Sequence, residues 1–569
     1  MKKLNNKGIT LIELIVSFAI VSVAMVYFYQ TLYTVRKLYV TAQTETEEFV
    51  DKDYAVRIVD KYIDEKGTSN ISRLCNTYSL KYHGEKCKTI IINHTSRSNV
   101  VKITINWEIN DINVSEYFYK NIHSIPKKES ILAMGNNSVG NDSNQYFFNG
   151  TQVIKSDVKS IKFSSSIEKP DGYDENSWWD ASEKQNETVK AWYKSDSEGY
   201  YEVTIGGYGG VEFPSDSKTL FNYFINLEFI DFSYVDTSNV TNMYSMFNGC
   251  KSLINLDLSS FDTRQVQNMN SMFNNCSSLE ELDISSFDTG QVQNMISMFN
   301  NCSSLKELDI SSFDTRQVQN MGSMFNNCRS LEKLDLSSFD TRQVQNMGSM
   351  FNSCGSLEEL DISSFNTRQV KYMSSMFHGC SKLKTLKLDN FNTELVENMS
   401  QMFYSCGSLT KLDLSSFNTS QVKYMDGMFS LCKSLSELKL GSLFVSNNVT
   451  NMSQMFYYCE SLIKLDLSSF SFTNVSSIEM MFQGCSNLTD LDLRNLDSEI
   501  RNLYQAFFGC RSLENLYINK LSIARRYANY ANALRGVNKN VKIYVLNSDV
   551  KNRLRTTGNV PDSNFLIGY

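Results

Sequence analysis

Thirteen cysteines occur in the 569-residue chain, and eleven of them recur on a fixed beat: Cys250, Cys276, Cys302, Cys328, Cys354, Cys380, Cys406, Cys432, Cys459, Cys485 and Cys510. Seven consecutive gaps are 26 residues, and the last three are 27, 26 and 25. Thiols in such a column could pair or pack as small apolar groups. Stacked neighbours about 5 Å apart would lie within disulfide reach. Each falls on the apolar side of its segment, however, so buried free thiols are expected, and an odd number cannot all pair with one another. Cys75 and Cys87 lie off the beat. A bridge between them would close a loop of about 13 residues, contribute roughly 3 kcal/mol, and is expected over two free thiols.

A second column is acidic. Asp257, Asp283, Asp309, Asp335 and Asp361 hold one position in successive copies, followed by Lys387, Asp413, Lys439, Asp466, Asp492 and Tyr517. Carboxylates about 5 Å apart repel by roughly 0.8 kcal/mol in water, so the column is tolerable as a solvated repeat feature. It could also bind a basic partner or divalent cations. Arg264, Arg316, Arg342 and Arg368 form a third column, either solvated turn residues or groups that offset the negative charge or contact anionic glycans. Catalysis has little support. His83, His94, His123 and His378 are scattered, and His83 with Cys87 lacks a second pair to complete a zinc site. There is no HExxH, no GxSxG elbow and no nucleotide loop, and Gly206-Gly207-Tyr208-Gly209-Gly210 reads as a flexible turn. No enzyme activity, cofactor or metal is expected. A net charge of −7 argues against nucleic acid as a partner.

The elements that must position these columns follow from one copy. From Phe287 the apolar positions are Phe287, Val292, Met295, Met298, Phe299, Cys302, Leu305, Leu308 and Ile310. Met295, Met298, Phe299 and Cys302 fall at i, i+3, i+4 and i+7, which predicts a short helix or helical turn. Leu308-Asp309-Ile310 alternates as a strand does, and Ser311-Ser312 and Asp314-Thr315 are turn residues. A unit this short cannot bury its apolar side alone, so the copies must stack into a solenoid. The segment FDTRQVQNMGSMFNNCRSLEKLDLSS, 313–338, resembles the repeat of BspA-like leucine-rich-repeat surface proteins of bacteria. Trp178-Trp179-Asp180 through Ala191-Trp192-Tyr193 is similar to that family's N-terminal flank, so the likeness covers about 150–545. The resemblance implies a cell-surface binding or adhesion protein rather than an enzyme. The fold expected is an α/β leucine-rich-repeat solenoid.

At the other end, Lys2, Lys3 and Lys7 precede an apolar run from Ile9 to Phe28 broken by Glu13. About twenty helical residues span a bilayer, and a carboxylate within the run costs about 2.5–3.5 kcal/mol at the centre. Gly8-Ile9-Thr10-Leu11-Ile12-Glu13 resembles the processing signal of type IV prepilins and type II secretion pseudopilins. That resemblance implies cleavage by a prepilin peptidase between Gly8 and Ile9, and methylation of the new terminus. It implies that Glu13, as fifth mature residue, pairs with the amine of a neighbouring pilin subunit. Ile9 departs from the usual Phe or Met. A secretory signal cut near Ser22-Val23-Ala24 and a plain membrane anchor are the competing readings. Phe49, Tyr54, Ile58, Val59, Tyr62 and Ile63 extend the helical spacing, and a helix over 9–66 would be roughly 87 Å long.

The expected organisation is a leader at 1–8, a transmembrane stalk helix at 9–66, and a small pilin-like β-rich region at 67–127. A linker at 128–150, an N-terminal cap at 151–235, the repeats at 236–518 and a C-terminal cap at 519–569 follow. Val100 to Trp107 and Val114 to Tyr119 should pair as strands. Together these features predict a minor pilin or pseudopilin that presents its solenoid at the cell surface, single-pass in the cytoplasmic membrane before assembly and then at the pilus tip. Its ligand would be a host or bacterial surface protein or glycan. The rival is a membrane-held surface repeat protein that never enters a filament.

Overall fold

The computed structural model describes residues 81–82, 85–94, 100–109, 112–121, 130–133 and 153–568. The chain divides into two compact units, Met1–Pro126 and Lys127–Tyr569. The leader and the helix expected over 9–66 lie outside the described residues, as do Gly8, Ile9, Glu13 and Cys75.

In the first unit, β1 (Lys81–Tyr82), β2 (Glu85–His94), β3 (Val100–Ile109) and β4 (Ile112–Asn121) form one antiparallel sheet in that order. The pairing expected between 100–107 and 114–119 is present in the β3–β4 register. Alternation puts Ile103 and Ile105 on one buried face, with Ile90 opposite Ile105. Cys87 sits on β2 opposite Trp107, and the bridge expected with Cys75 falls outside the described residues.

The second unit opens with a five-stranded sheet of β5 (Val158–Ser164), β6 (Trp178–Asp180), β7 (Val189–Ser195), β8 (Tyr201–Gly207) and β10 (Phe229–Asp231). Its spatial order is β10-β5-β8-β7-β6, and β9 (Val211–Glu212) pairs in parallel with β11 (Val235–Asp236). Phe163, Phe213, Phe221 and Phe232 pack together with ring centroids 5.5–6.4 Å apart. Phe221 then stacks on Phe247, the first of the repeat column, at 5.3 Å and 10°. The cap thereby covers an end that would otherwise expose the core.

From there the chain winds as a stack of flat turns. All nine apolar positions of the copy from Phe287 are buried, from 0% exposed at Met295 to 8% at Leu308. Phenylalanines stack turn on turn from Phe247 to Phe507, adjacent rings lying 5.4–5.9 Å apart and within 11° of parallel. A fully buried side chain of this kind contributes roughly 1.5–3 kcal/mol, and each turn realises that only because its neighbours cover it.

The helix expected at 295–302 does not form, and the architecture is a β-solenoid rather than an α/β solenoid. Ser297 and Asn301 have φ of 55° and 60°, the left-handed region, which breaks a helix every fourth residue. Alternate amides point in different directions. Met295, Ser297, Phe299 and Asn301 donate along the stack to carbonyls of Asn320, Gly322, Met324 and Asn326 at 2.8–3.2 Å. Met298, Asn300 and Cys302 donate instead to the carbonyls three residues back at 3.2–3.3 Å, and the Ile296 amide donates to the Asn294 side chain at 3.1 Å. Every amide from 295 to 302 is therefore satisfied, with no i to i−4 bond. The same apolar spacing that a helix would require is met by consecutive turns.

One column of parallel bridges runs from Asp216 through Asn242, Asn268, Asn294, Asn320 and Asn346 to Asn529, interrupted between Tyr424 and Asn451. The strands expected at Leu308-Asp309-Ile310 and its equivalents ladder only in places. β12 (Asn255–Asp257) pairs with β13 (Glu281–Asp283), β14 (Glu359–Leu360) with β15 (Thr385–Leu386), and β16 (Lys411–Leu414) with β17 (Glu437–Leu440). Residues 308–310 belong to no strand. Successive turns are thus bonded at every step on the Met-Phe-Cys side, even across that interruption through the amides of Gly427, Phe429 and Leu431, and intermittently on the aspartate side. Beyond these, β18 (Asp490–Asp492), β20 (Asn515–Ile518), β22 (Lys542–Val545) and β23 (Phe565–Ile567) form a continuous parallel sheet. β19 (Glu499–Ile500) pairs with β21 (Ser522–Ile523). Helix among the described residues amounts to α1 (Ser548–Leu554), capped by the Asn547 side chain, and two short 3-10 turns.

Candidate ligand-binding faces of the stack

The eleven repeat cysteines are free thiols, buried in the core. Each Sγ donates to a phenylalanine carbonyl of the preceding turn, as Cys302 does to Phe273 at 3.2 Å. The same Phe273 oxygen also accepts from the Cys276 amide at 3.2 Å, so thiol and amide from two turns converge on one acceptor. Burial pushes these thiols up, to about 12 for Cys276, Cys328, Cys380, Cys432 and Cys485. A thiol that does not ionise at neutral pH is neither a nucleophile nor a metal ligand, and the column is structural.

A buried hydroxyl column accompanies it, unanticipated from the apolar pattern. Thr289 Oγ1 accepts from the Asp314 amide at 2.8 Å and donates to the Asp314 carbonyl at 2.9 Å. Thr263, Thr315, Thr341, Thr367 and Thr393 repeat the arrangement with the next turn. Its signal in the sequence was the recurrence of Thr two residues after each leading Phe from Phe261 to Phe417.

The expected acidic column is exposed and in register. Asp257 and Asp283 pair in parallel at the ends of β12 and β13, and Asp309, Asp335 and Asp361 occupy the same place in the next three turns. Each Oδ1 accepts from the amide two residues on, at 2.9–3.1 Å, closing the corner after the strand position. Ser311 lowers the Asp309 pKa chiefly through its hydroxyl, and the Ser337 amide does the same for Asp335. Each carboxylate thus has a local task, and Lys387 adds a favourable charge beside Asp361. Where the strand ladder lapses, Leu282, Leu308, Leu334 and Ile310 floor a groove of about 750 Å3. Its rim carries Glu280, Glu281, Glu307, Asp309, Glu332 and Asp335 against Lys306 and Lys333.

The arginine column splits in two. Arg264, Arg316 and Arg342 each clasp the aspartate two residues back, Asp262, Asp314 and Asp340, through Nε and Nη2. Arg368 donates only its backbone amide to Asn366 Oδ1, at 3.2 Å, and forms no ion pair among the described residues. His378 stacks on Tyr404 at 4.5 Å, and burial lowers its pKa. No group of three or more His, Cys, Asp or Glu among the described residues is placed to hold a metal ion. None of their helices is long and apolar enough to cross a membrane.

Stacked turns bonded edge to edge, with an unbroken apolar column inside and varied residues outside, define a repeat β-solenoid. The chain belongs to the family described as "Mycoplasma protein of unknown function, DUF285", which matches 215–333, 301–409, 379–495 and 408–521, together more than half its length. Residues 3–29 match the prokaryotic N-terminal methylation motif. A comparison with curated proteins finds no match. Among solved structures, the chain is similar to the pneumococcal vaccine antigen PcpA at 13% identity and a TM-score of 0.31, over 84% of this chain and 99% of that one. It is also similar to the TLR13–ssRNA13 complex at 15% identity and a TM-score of 0.16, over 60% and 63% of the two chains. Likenesses this distant carry no weight for function.

Proposed function

We propose that this chain is a minor pilin or pseudopilin whose solenoid is a binding head for a ligand on a host or bacterial surface. What supports the reading is the presence in one chain of a processing and methylation motif at 3–29 and a long repeat stack over 215–521. A prepilin peptidase cuts between Gly8 and Ile9, and Glu13 meets the amine of an adjoining subunit. A solenoid this bulky would crowd a shaft, which supports a low copy number near the filament tip. It acts by binding, not catalysis, since its regular thiols are inert and its carboxylates each close a corner.

Within the head, the acidic groove over 280–335 suits a basic segment of a partner. Asp283→Asn, Asp309→Asn and Asp335→Asn together should weaken capture of such a ligand. The amide oxygen still caps the corner, so stability should hold. Unchanged capture would remove the groove from the reading. Mass spectrometry of the mature N-terminus tests the larger claim. A methylated Ile9 is expected, whereas an intact leader or a start near Met25 would sink the filament role. Methylation without recovery in sheared filaments would favour a surface protein that stays in the membrane.

A further inference from the structure

The stack changes character at one corner. In turns led by Phe313 and Phe339 the second residue is an aspartate whose charge is neutralised by arginine. In the next three turns that residue is Asn366, Asn392 and Asn418. The asparagines keep the local task, because each Oδ1 accepts from the amide two residues on, at 3.1–3.2 Å. Only the oxygen can accept, which fixes the orientation of each side chain. All three Nδ2 groups are left without a partner among the described residues. The backbone beneath them is held firmly, since the amides of Asn392 and Asn418 donate to Thr367 and Thr393 at 2.8 Å.

These three residues line one groove of about 480 Å3, which also contains Leu443, 56% exposed, with Arg368 and Glu394. One cation and one anion leave the lining neutral, unlike the acidic groove over 280–335. An anionic or a basic ligand would find no charge complement here. The donors recur once per turn, at about the 4.8 Å spacing of hydrogen-bonded strands. A pyranose ring is about as long as one turn's rise, carries hydroxyl acceptors around its rim and has an apolar face to set against Leu443.

We propose that this groove binds a neutral polysaccharide along the stack axis, its hydroxyls accepting from Nδ2 of Asn366, Asn392 and Asn418. The proposal rests on the reading of the solenoid as a binding head and names one ligand class for it. The test is titration calorimetry on the full chain in detergent, with neutral glucan, mannan and chitin hexasaccharides as probes. Heparin serves as the anionic control and oligolysine as the basic one. The variant is Asn366→Asp, Asn392→Asp and Asn418→Asp combined, because aspartate already fills this place in the turns of Asp314 and Asp340 and caps the corner equally well.

At least one neutral hexasaccharide should bind, and the triple variant should lose about tenfold or more in affinity at an unchanged melting temperature. Leu443→Ser, on an exposed side chain, should also weaken binding. The aspartate-to-asparagine variant of the acidic groove should leave it intact. Binding of heparin or oligolysine alone, or equal affinity in the triple variant, would overturn the proposal. Absence of glycan binding in a chain that still supports cell attachment would overturn it too, leaving the binding head standing. Loss of both would end the underlying reading.

Discussion

Two stretches of the solenoid differ only on the outside. From Asp257 to Asn352 the turns are nearly identical, and 313–327 repeats as 339–353 with a single change, Asn327 to Ser353. From Phe365 to Tyr458 the inward Val, Met, Met, Phe, Cys and Leu persist, and all are buried. Outward positions there become Tyr372, His378, Leu395, Tyr404, Tyr424 and Leu443, and the Asp–Arg clasps disappear. The comparison separates two requirements. Stacking fixes the interior, because every side chain there must meet its own counterpart one turn away. The exterior is free to vary, and where it varies it acquires exposed rings and uncommitted amides.

The largest test of the shared interior is alkali. The buried thiols ionise in the unfolded chain near pH 8.5 but are held higher in the fold, to about 12 for five of them. Stability is therefore fully present below pH 8.5 and falls as pH rises toward 12. Each thiol contributes a loss of about 1.4 kcal/mol per pH unit above its unfolded value. Circular dichroism should show cooperative loss of structure in that window, and a stack intact at pH 12 would contradict the thiol column. Next in size, Phe325→Ala and Phe403→Ala should each cost about 3–5 kcal/mol by denaturant titration, equally in the two stretches. Unequal losses would mean that the interiors are not equivalent.

A smaller effect is expected from Thr315→Val and Thr393→Val, which leave the amides of Asp340 and Asn418 unpaired in a buried setting. Each should cost about 1–3 kcal/mol. Smallest is the difference that the surfaces themselves make. Arg342→Ala removes an exposed ion pair worth about 0–1 kcal/mol, and Arg368→Ala removes none. Equal, large losses at both sites would show that the outer residues also hold the stack.

The solenoid was legible from the cysteine beat alone, because a period of 26 has no other physical meaning in a chain whose units cannot stand singly. The inward positions were legible too, as Met295, Met298, Phe299 and Cys302 are all buried. Their local conformation was not. Apolar spacing of three and four describes a helix and a run of turns equally well, since both return to the same side at that interval. The distinguishing signal lay in the residues between. The position of Asn301 is Gly in other turns, as at Gly249, Gly379, Gly484 and Gly509, with φ from 70° to 79°. Asn, Ser and Gly predominate at this place, with Leu431 and Tyr458 the departures, and none of them is β-branched, which marks a left-handed backbone. The acidic column was read correctly as aligned and exposed, but its closure of corners needs the Ser partner two residues on to be seen in space. The neutral groove escaped notice because Asp and Asn look interchangeable in a turn until their free atoms are traced.

The converging bonds on each phenylalanine carbonyl have a genetic corollary. The near-identical copies around 313–338 offer their neighbours the same acceptors, rings and hydroxyls, so excision of 313–338 would bring Phe299 against Phe351 with no mismatch. Unequal recombination among such similar coding segments could then lengthen or shorten the protein by whole rungs, adjusting reach while leaving the joints intact.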